Sequence, residues 1–139
     1  GNWGRCAVVG NSGLVKAEKY GAEIDDADVV VRINQGPIGA AYSEFVGTKT
    51  HIRVLNHFWT SVYSDLRMHR KHGLSLERSV MIMTVRTDPM DVFNLRRNIE
   101  KSKRSDVQVV SMNVEWEEAV EELLRSYKIC LKYANNRYM

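Results

Sequence analysis

The chain has 139 residues, of which 44% are hydrophobic and 27% are charged, and its formal net charge is +3. These values predict one globular domain, 1–139, with a moderate core, and they do not fit a low-complexity chain. The mild positive charge permits an anionic ligand without calling for nucleic acid. No run of 18 apolar residues occurs, so these residues predict no transmembrane helix.

The first predicted element is an apolar run at 6–9. It is rich in valine and stops at Gly10, which predicts a buried strand that ends in a tight turn. The turn, Gly10-Asn-Ser-Gly13, carries two glycines that allow a ligand to approach the backbone. Peptide N–H groups in such a turn suit an anion such as phosphate. Taken alone, this pattern also fits a plain tight turn.

A second strand, predicted over 28–33, repeats this arrangement and ends in the polar turn 34–37. In an open parallel sheet both turns would lie at the carboxyl edge, where such folds bind ligands. Asn34 could equally bond its own backbone at the strand end. Between the two strands, residues 16–20 predict a helical turn or two, with a stop at Gly21.

Four acidic residues, Glu23, Asp25, Asp26 and Asp28, form a cluster just before the second strand. Paired carboxylates can hold magnesium. This cluster, however, precedes the strand and therefore lies at the amino end, away from the predicted ligand edge. The favoured interpretation is a solvated loop.

The next segment predicts a short helix over 39–45, closed by Gly47, and a third strand over 50–55 that Arg53 interrupts. Asn56 follows this strand as a third polar residue at the same edge. Beyond it, apolar residues at helical spacing predict a helix from Phe58 to about residue 73. That stripe favours a core face over a substrate-stacking surface and consists of Phe58, Val62, Leu66 and, less regularly, His69.

The end of this helix is basic, which complements the helix dipole. The alternative, an acidic-glycan or nucleic-acid patch, lacks interleaved aromatic residues and any known nucleic-acid motif. The basic residues are Arg67, His69, Arg70, Lys71 and His72.

The remaining sequence alternates strand and helix. Residues 80–85 predict a strand buried on both faces, and Asp88 with Pro89 predicts a helix start, the helix reaching Lys103. A fifth strand is predicted over 107–110. Asn113 would then cap a last, amphipathic helix whose apolar residues are Trp116, Ala119, Val120, Leu123, Leu124, Tyr127 and Leu131. The alternation predicts an α/β fold, a Rossmann-like layer with a mainly parallel sheet of about five strands flanked by helices.

The order of motifs from Cys6 to Asn56 resembles the large sialyl motif of the eukaryotic sialyltransferases. The residues that carry the resemblance are Gly10-Asn-Ser-Gly13, Glu23-Ile-Asp25, Asp28, Arg32-Ile-Asn34, Pro37, Val46-Gly-Thr-Lys-Thr50 and Ile52-Arg-Val-Leu-Asn56. Two positions depart from the family pattern: Ala27 stands where a polar residue is usual, and Gly36 where alanine is usual. We expect Gly36 to loosen the turn that holds Asn34.

The resemblance implies a GT-A-like variant of the Rossmann layer that transfers sialic acid from CMP-sialic acid to a glycan hydroxyl with inversion. It implies a nucleotide-sugar donor and a glycan acceptor as partners, and neither a metal cofactor nor nucleic acid. In the family, the positions matching Asn11 and Asn34 contact CMP, and the backbone around Ser12 and Gly13 lies against it. These four residues are therefore the candidate donor-binding residues.

The family's catalytic histidines lie in motifs downstream of the large motif, and the histidines at 51, 57, 69 and 72 match none of them. The expected histidine would lie beyond this chain, so no catalytic base is assigned. His57, nearest the ligand edge, is interpreted as a satisfied loop histidine. Cys6 matches a cysteine that pairs with one in a later motif, so here it is either free or paired with Cys130.

The resemblance further implies the amino-terminal half of a catalytic domain, from a parent protein on the lumenal side of the Golgi membrane. A membrane anchor is expected only in the full-length protein. Whether the half-domain is active alone stays open. Two alternatives stay open as well: a stand-alone CMP-binding module without turnover, and a non-catalytic interaction domain that binds an acidic partner through its basic helix ends.

Overall fold

Five parallel strands form the single sheet of the computed structural model, which describes residues 3–36, 38–65 and 77–135. The strands follow one another across the sheet in chain order. They are β1 (Cys6–Val9), β2 (Val29–Ile33), β3 (Ile52–Leu55), β4 (Met81–Thr84) and β5 (Gln108–Ser111). The predicted α/β layer with a parallel five-stranded sheet is thereby confirmed.

Helical segments follow each strand in the chain. They are a 3₁₀ turn (Gly13–Lys16), α1 (Gly21–Asp25), α2 (Ser43–Val46), α3 (His57–Ser64), α4 (Pro89–Lys101) and α5 (Val114–Asn135). Asp88 caps α4 by accepting the N–H of Met90, at 2.7 Å, as the Asp-Pro pair predicts. None of the helices in the described ranges is long and apolar enough to cross a membrane.

The described core lies on one face of the sheet. Right-handed crossovers between strands that follow in order place their helices on the same side. One cluster packs α3 and α4 against β3 and β4 through Leu55, Val62, Tyr63, Val80, Ile82, Leu95, Ile99 and Val107. A second packs α1 and α2 against β1 and β2 through Val9, Ala27, Val30 and Val46. The opposite face is more open, and Val8 on β1 is 69% exposed.

Several local predictions are wrong in ways that the packing explains. β1 lies at the edge of the sheet and is not a buried strand. Gly21 begins α1 and does not end a helix. Its glycine is explained by packing, since α1 and α2 approach so closely that a Cβ there would lie 1.9 Å from the carbonyl oxygen of Ser43. Phe58 is exposed in the first turn of α3, while Thr60 and Tyr63 take the core side with Val62.

The last helix is amphipathic, as its spacing predicts, and Asn113 caps it by accepting the N–H of Glu115 at 3.1 Å. Its apolar side chains at Trp116, Val120 and Leu123 are nevertheless exposed in the described structure. The predicted basic end of the third helix, 67–72, lies outside the described residues.

Candidate functional site

The two polar turns that follow β1 and β2 meet at the carboxyl edge of the sheet, as the sequence predicts. β1 and β2 are adjacent and in register, with Cys6 beside Val29. A Cβ placed on Gly36 would lie 3.7 Å from the carbonyl oxygen of Gly10 and 3.9 Å from the Cβ of Asn11. The candidate residues of both turns therefore belong to one site.

Asn34 is the best-fixed side chain of this site. It is half-buried directly after β2, with a left-handed backbone at φ 51°, which asparagine tolerates better than most residues. Its N–H still donates to the carbonyl of Val54 at 2.7 Å, and its side-chain Oδ1 accepts the N–H of Asn56 at 3.0 Å. That bond identifies the oxygen, so the amide nitrogen Nδ2 keeps two N–H donors without a partner among the described residues.

Asn56, the third polar residue predicted at this edge, links the site to α3. Its side-chain oxygen accepts the N–H of Trp59 at 3.0 Å and caps the helix. Its carbonyl accepts both the N–H and the hydroxyl of Thr60, each at 2.9 Å. Asn56 is therefore a structural support that orients Asn34, and its side-chain oxygen is already used.

The first turn is open and little used by the chain itself. The hydroxyl oxygen of Ser12 accepts the N–H of Leu14 at 3.2 Å and so caps the 3₁₀ turn. The exposed Asn11 side chain has no hydrogen bond to any described residue, and a Cβ at Gly10 or Gly13 would meet nothing within 4 Å. The chain thus leaves room at both glycines, as expected if a ligand lies against this backbone.

A buried arginine, which the sequence showed only as an interruption of β3, supports the second turn. Arg53 is 3% exposed, and its Nη1 donates to the carbonyl oxygens of Asn34 and, at 3.5 Å, of Gly36. Its other face makes a two-pronged ion pair with Glu77. Gly36 is itself buried and donates to the carbonyl of Ile33 at 3.1 Å, and the expectation that it loosens the turn stays a prediction.

The acidic cluster lies at the amino edge and holds the fold together. The Asp25 carboxylate accepts the N–H groups of Thr48 and Lys49, each at 2.9 Å. Asp26 pairs with Arg5 at 2.6 Å, and Asp28 accepts the N–H of the same arginine at 2.7 Å. Glu23, Asp26 and Asp28 are exposed, so the predicted solvation is confirmed, whereas Glu23 and Asp25 lie in α1 and not in a loop.

The Asp25 carboxyl shows the electrostatic effect of these bonds. Partial burial disfavours its charged form, but the N–H groups of Lys49 and Thr48 outweigh that effect and hold its pKa below the usual value near 3.8. An acid with this pKa stays ionised at neutral pH and serves the fold as a hydrogen-bond acceptor.

Two cavities lie away from this site, and neither turn lines them. One, of about 580 Å³, lies beside the start of β1 and α1 and is lined by Arg5, Cys6, Ala7, Tyr20, Glu23, Ile24 and Ala27. The other, of about 220 Å³, lies at the carboxyl ends of β4 and β5 and is lined by Thr84, Arg86, Thr87, Ser111, Met112 and Glu117. The candidate site is an open edge between loops.

The histidines and cysteines fall as follows. His57 is exposed in the first turn of α3, beside Asn56, and the Nδ1 of His51 accepts the N–H of Val30 at 2.9 Å. Neither histidine side chain forms a hydrogen bond with Asn34 in the described structure. Cys6 is a free, exposed thiol. The histidines at 69 and 72 and the side chain at 130 lie outside the described residues.

Comparison with known proteins shows which family the sequence matches. A family model described as glycosyltransferase family 29 (sialyltransferase) matches residues 1–138. The beta-galactoside alpha-2,6-sialyltransferase 1 of Homo sapiens is 52% identical over 56 residues, which cover 40% of this chain and 14% of the relative. An alpha-N-acetylneuraminide alpha-2,8-sialyltransferase of Xenopus laevis is 35% identical over 101 residues, covering 72% of this chain and 27% of the relative.

The relatives named here are much longer than this chain. A type 2 lactosamine alpha-2,3-sialyltransferase of Mus musculus is 46% identical over 61 residues, covering 44% of this chain and 18% of the relative. Across these three relatives the chain spans between 14% and 27% of their length. A crystal structure of a mammalian sialyltransferase superimposes with a TM-score of 0.52 at 23% identity, over 78% of this chain and 40% of that one. That likeness shows a shared fold.

Proposed function

Since the chain belongs to glycosyltransferase family 29, the sialyltransferases, we propose that its carboxyl edge binds the CMP part of a CMP-sialic acid donor. The observation that carries this proposal is the Asn34 amide. Its oxygen accepts the N–H of Asn56, its nitrogen has no partner among the described residues, and the turn that it opens brings Gly36 next to Gly10 and Asn11. We assign Asn11, Ser12 and the Gly13 backbone to the same donor site, because they contribute polar groups from that turn.

The reaction proposed for the whole enzyme is an inverting transfer. A glycan hydroxyl oxygen attacks the anomeric carbon of sialic acid while the bond from that carbon to the phosphate oxygen breaks. CMP leaves with the bonding electron pair, and the hydroxyl proton passes to a base that we assign to no residue of this chain. N–H donors fixed before the reaction stabilise the negative charge that grows on the leaving phosphate.

The donors available at this edge also bear on the cofactor. Side-chain amides and peptide N–H groups bind anions, whereas magnesium needs clustered oxygen ligands. The carboxylates of Asp25, Asp26 and Asp28 are at the opposite edge and already bound to the chain. We therefore propose a donor site that works without a metal ion.

The partners follow from the same reaction class: a nucleotide-sugar donor and a glycan acceptor, with no nucleic acid. The three relatives are named for three different linkages. Membership in the family therefore supports the type of reaction but does not specify the linkage, which we assign to the part of the enzyme that binds the acceptor. We also propose that the parent protein works at the lumenal side of the Golgi membrane, where glycans are built.

The experiment is a calorimetric titration of the chain with CMP, beside the variant Asn34→Ala. We expect saturable binding that weakens at least tenfold in the variant, because a hydrogen bond to a charged phosphate is worth roughly 1.5–3 kcal/mol. Tenfold corresponds to about 1.4 kcal/mol.

Asn113→Ala is the matched control, because Asn113 follows β5 at the same edge, three strands from β2. It should bind CMP as tightly as the unmodified chain. Equal affinity of Asn34→Ala and the unmodified chain would overturn the proposal. So would the failure of a folded, monomeric chain to bind CMP at millimolar concentration.

A further inference from the structure

The arginine in the middle of β3 is unusual for its surroundings. Arg53 lies in register between Arg32 on β2 and Ile82 on β4, and it is 3% exposed. A guanidinium removed from water is strongly unfavourable unless it is both paired and hydrogen-bonded. Its partners therefore indicate what the fold gains from keeping it there.

One side of the guanidinium is anchored. Its Nε donates to the Oε2 of Glu77 at 3.1 Å, and its Nη2 donates to Oε1 of the same carboxylate. The Glu77 side chain is itself only 9% exposed. Because an arginine and a carboxylate paired through two parallel bonds share one plane, this contact fixes the orientation of the guanidinium and not just its position.

The remaining nitrogen reaches the second turn of the candidate site. Nη1 donates to the carbonyl oxygen of Asn34 and, at 3.5 Å, to that of Gly36. At φ 51° Asn34 turns the chain away from the strand ladder, so these carbonyls have lost their place in the sheet. A left-handed backbone at a residue other than glycine persists where its surroundings fix it, and here the arginine does so.

We infer that Arg53, oriented by Glu77, is a positioning residue of the donor site: it holds the left-handed turn from which the Asn34 amide presents its N–H donors. This inference rests on the proposed function for its ligand but on the contacts of the turn for its geometry. Arg53 acts through Asn34 and does not itself bind the nucleotide, because it is 3% exposed and each of its three nitrogens already donates to the chain.

The neighbouring strand offers a matched control. Arg32 stands beside Arg53 in register and is fully buried. Its Nε donates to the carbonyl of Lys49 and the hydroxyl of Thr50, and its Nη2 to the carbonyl of Val46. None of these bonds reaches either turn. A substitution of Arg32 therefore tests the effect of disturbing a buried arginine without disturbing Asn34.

The test is a double-mutant cycle on CMP affinity, measured by calorimetry in the full chain. Arg53→Lys keeps the charge but cannot bond Glu77 and the turn at once, and we expect at least fivefold weaker binding. Because the effect passes through Asn34, the double variant of Arg53→Lys and Asn34→Ala should bind no more weakly than Asn34→Ala alone. Arg32→Lys combined with Asn34→Ala should instead show the product of the two single effects.

A second readout needs no ligand. In the unmodified chain the side-chain NH₂ group of Asn34 should be ordered in ¹⁵N relaxation measurements, and in Arg53→Lys it should become mobile. Glu77→Gln, the milder variant, should also weaken CMP binding and make the Asn34 NH₂ group more mobile. It replaces Arg53→Lys in both measurements if that variant does not fold. A mobile Asn34 amide in the variants of a chain that fails to bind CMP would count against the proposed function and for the positioning role.

Two results would overturn the inference. One is an ordered Asn34 amide together with unchanged CMP affinity in both folded variants. The other is a double variant in which the losses of Arg53→Lys and Asn34→Ala multiply, because the arginine would then act on binding by a route that does not pass through Asn34.

Discussion

The two edges of the sheet both carry polar side chains, but they use them in opposite ways. At the amino edge, Asp25 accepts two backbone N–H groups from the segment before β3, and Asp106 accepts the N–H of Ser79 at 2.9 Å. At the carboxyl edge, the amide nitrogen of Asn34 and the side chain of Asn11 have no partner among the described residues. The chain itself uses Asp25 and Asp106 at one edge, whereas these two amide groups at the other edge are available.

This difference separates structure from function within a single layer. A donor that the chain holds in place but leaves without a partner of its own is available to a ligand. The carboxyl edge of a parallel sheet is also where open α/β folds bind their ligands. Substitutions at the amino edge should therefore affect stability, and substitutions at the carboxyl edge should affect binding.

The largest contrast is expected from one substitution made at two glycines. Gly21→Ala would place a Cβ 1.9 Å from a backbone oxygen of α2 and should destabilise the fold by about 2–3 kcal/mol through overpacking. Gly10→Ala meets nothing within 4 Å and should change stability by less than about 0.5 kcal/mol, yet it should weaken CMP binding severalfold. Urea unfolding and CMP titration measure the two effects. Unchanged CMP affinity in Gly10→Ala would contradict a ligand against that backbone.

A smaller loss of stability is expected from Asp25→Asn. The variant keeps one oxygen but replaces the other by an NH₂ group that faces backbone donors. A bond to a charged acceptor contributes roughly 1.5–3 kcal/mol, and partial exposure reduces this, so we expect about 1–2 kcal/mol from urea unfolding. CMP affinity should stay unchanged. A loss of affinity in a variant that stays folded would break the separation between the two edges.

The smallest effect is expected from pH. The guanidinium of Arg104 and the N–H of Ser79 hold the pKa of Asp106 well below its usual value near 3.8. A carboxyl with a lower pKa in the folded chain adds stability above the unfolded value, and that stability is lost as pH falls through the folded one. The free energy of unfolding should therefore fall from about pH 5 downward, and less steeply in Asp106→Asn. An equal dependence of the unfolding free energy on pH in both proteins would show that Asp106 does not contribute to the acid sensitivity.

The sequence predicts the carboxyl edge well because strands and turns there follow from the conformational preferences of neighbouring residues. Valine-rich runs that end in Gly-Asn-Ser-Gly or in Asn-Gln-Gly predict strands that end in turns, and parallel pairing then brings both turns together. Gly36 beside Gly10 and Asn11 confirms that step. The capping roles of Asp88 and Asn113 follow from equally local rules.

The support beneath that edge could not be predicted, because it depends on contacts between distant segments. Arg53 and Glu77 are 24 residues apart, and only the paired register of β2 and β3 places the arginine under Asn34. The one available signal was a charged residue within an apolar strand. The exposure of Phe58 was not predicted for a related reason. The spacing of apolar residues gives the period of a helix, whereas packing against the neighbouring α4 determines which side of α3 is buried.

We propose that the Asn34 side-chain amide binds the donor nucleotide. A CMP titration followed by ¹⁵N NMR tests this directly, because it measures the chemical shift of the Asn34 side-chain NH₂ group. The signal is assigned by its absence in Asn34→Asp. We expect this signal to shift with CMP concentration and to saturate together with the calorimetric isotherm. Saturable CMP binding that leaves this signal in place and moves resonances around the cavity at Arg5 and Tyr20 would contradict it.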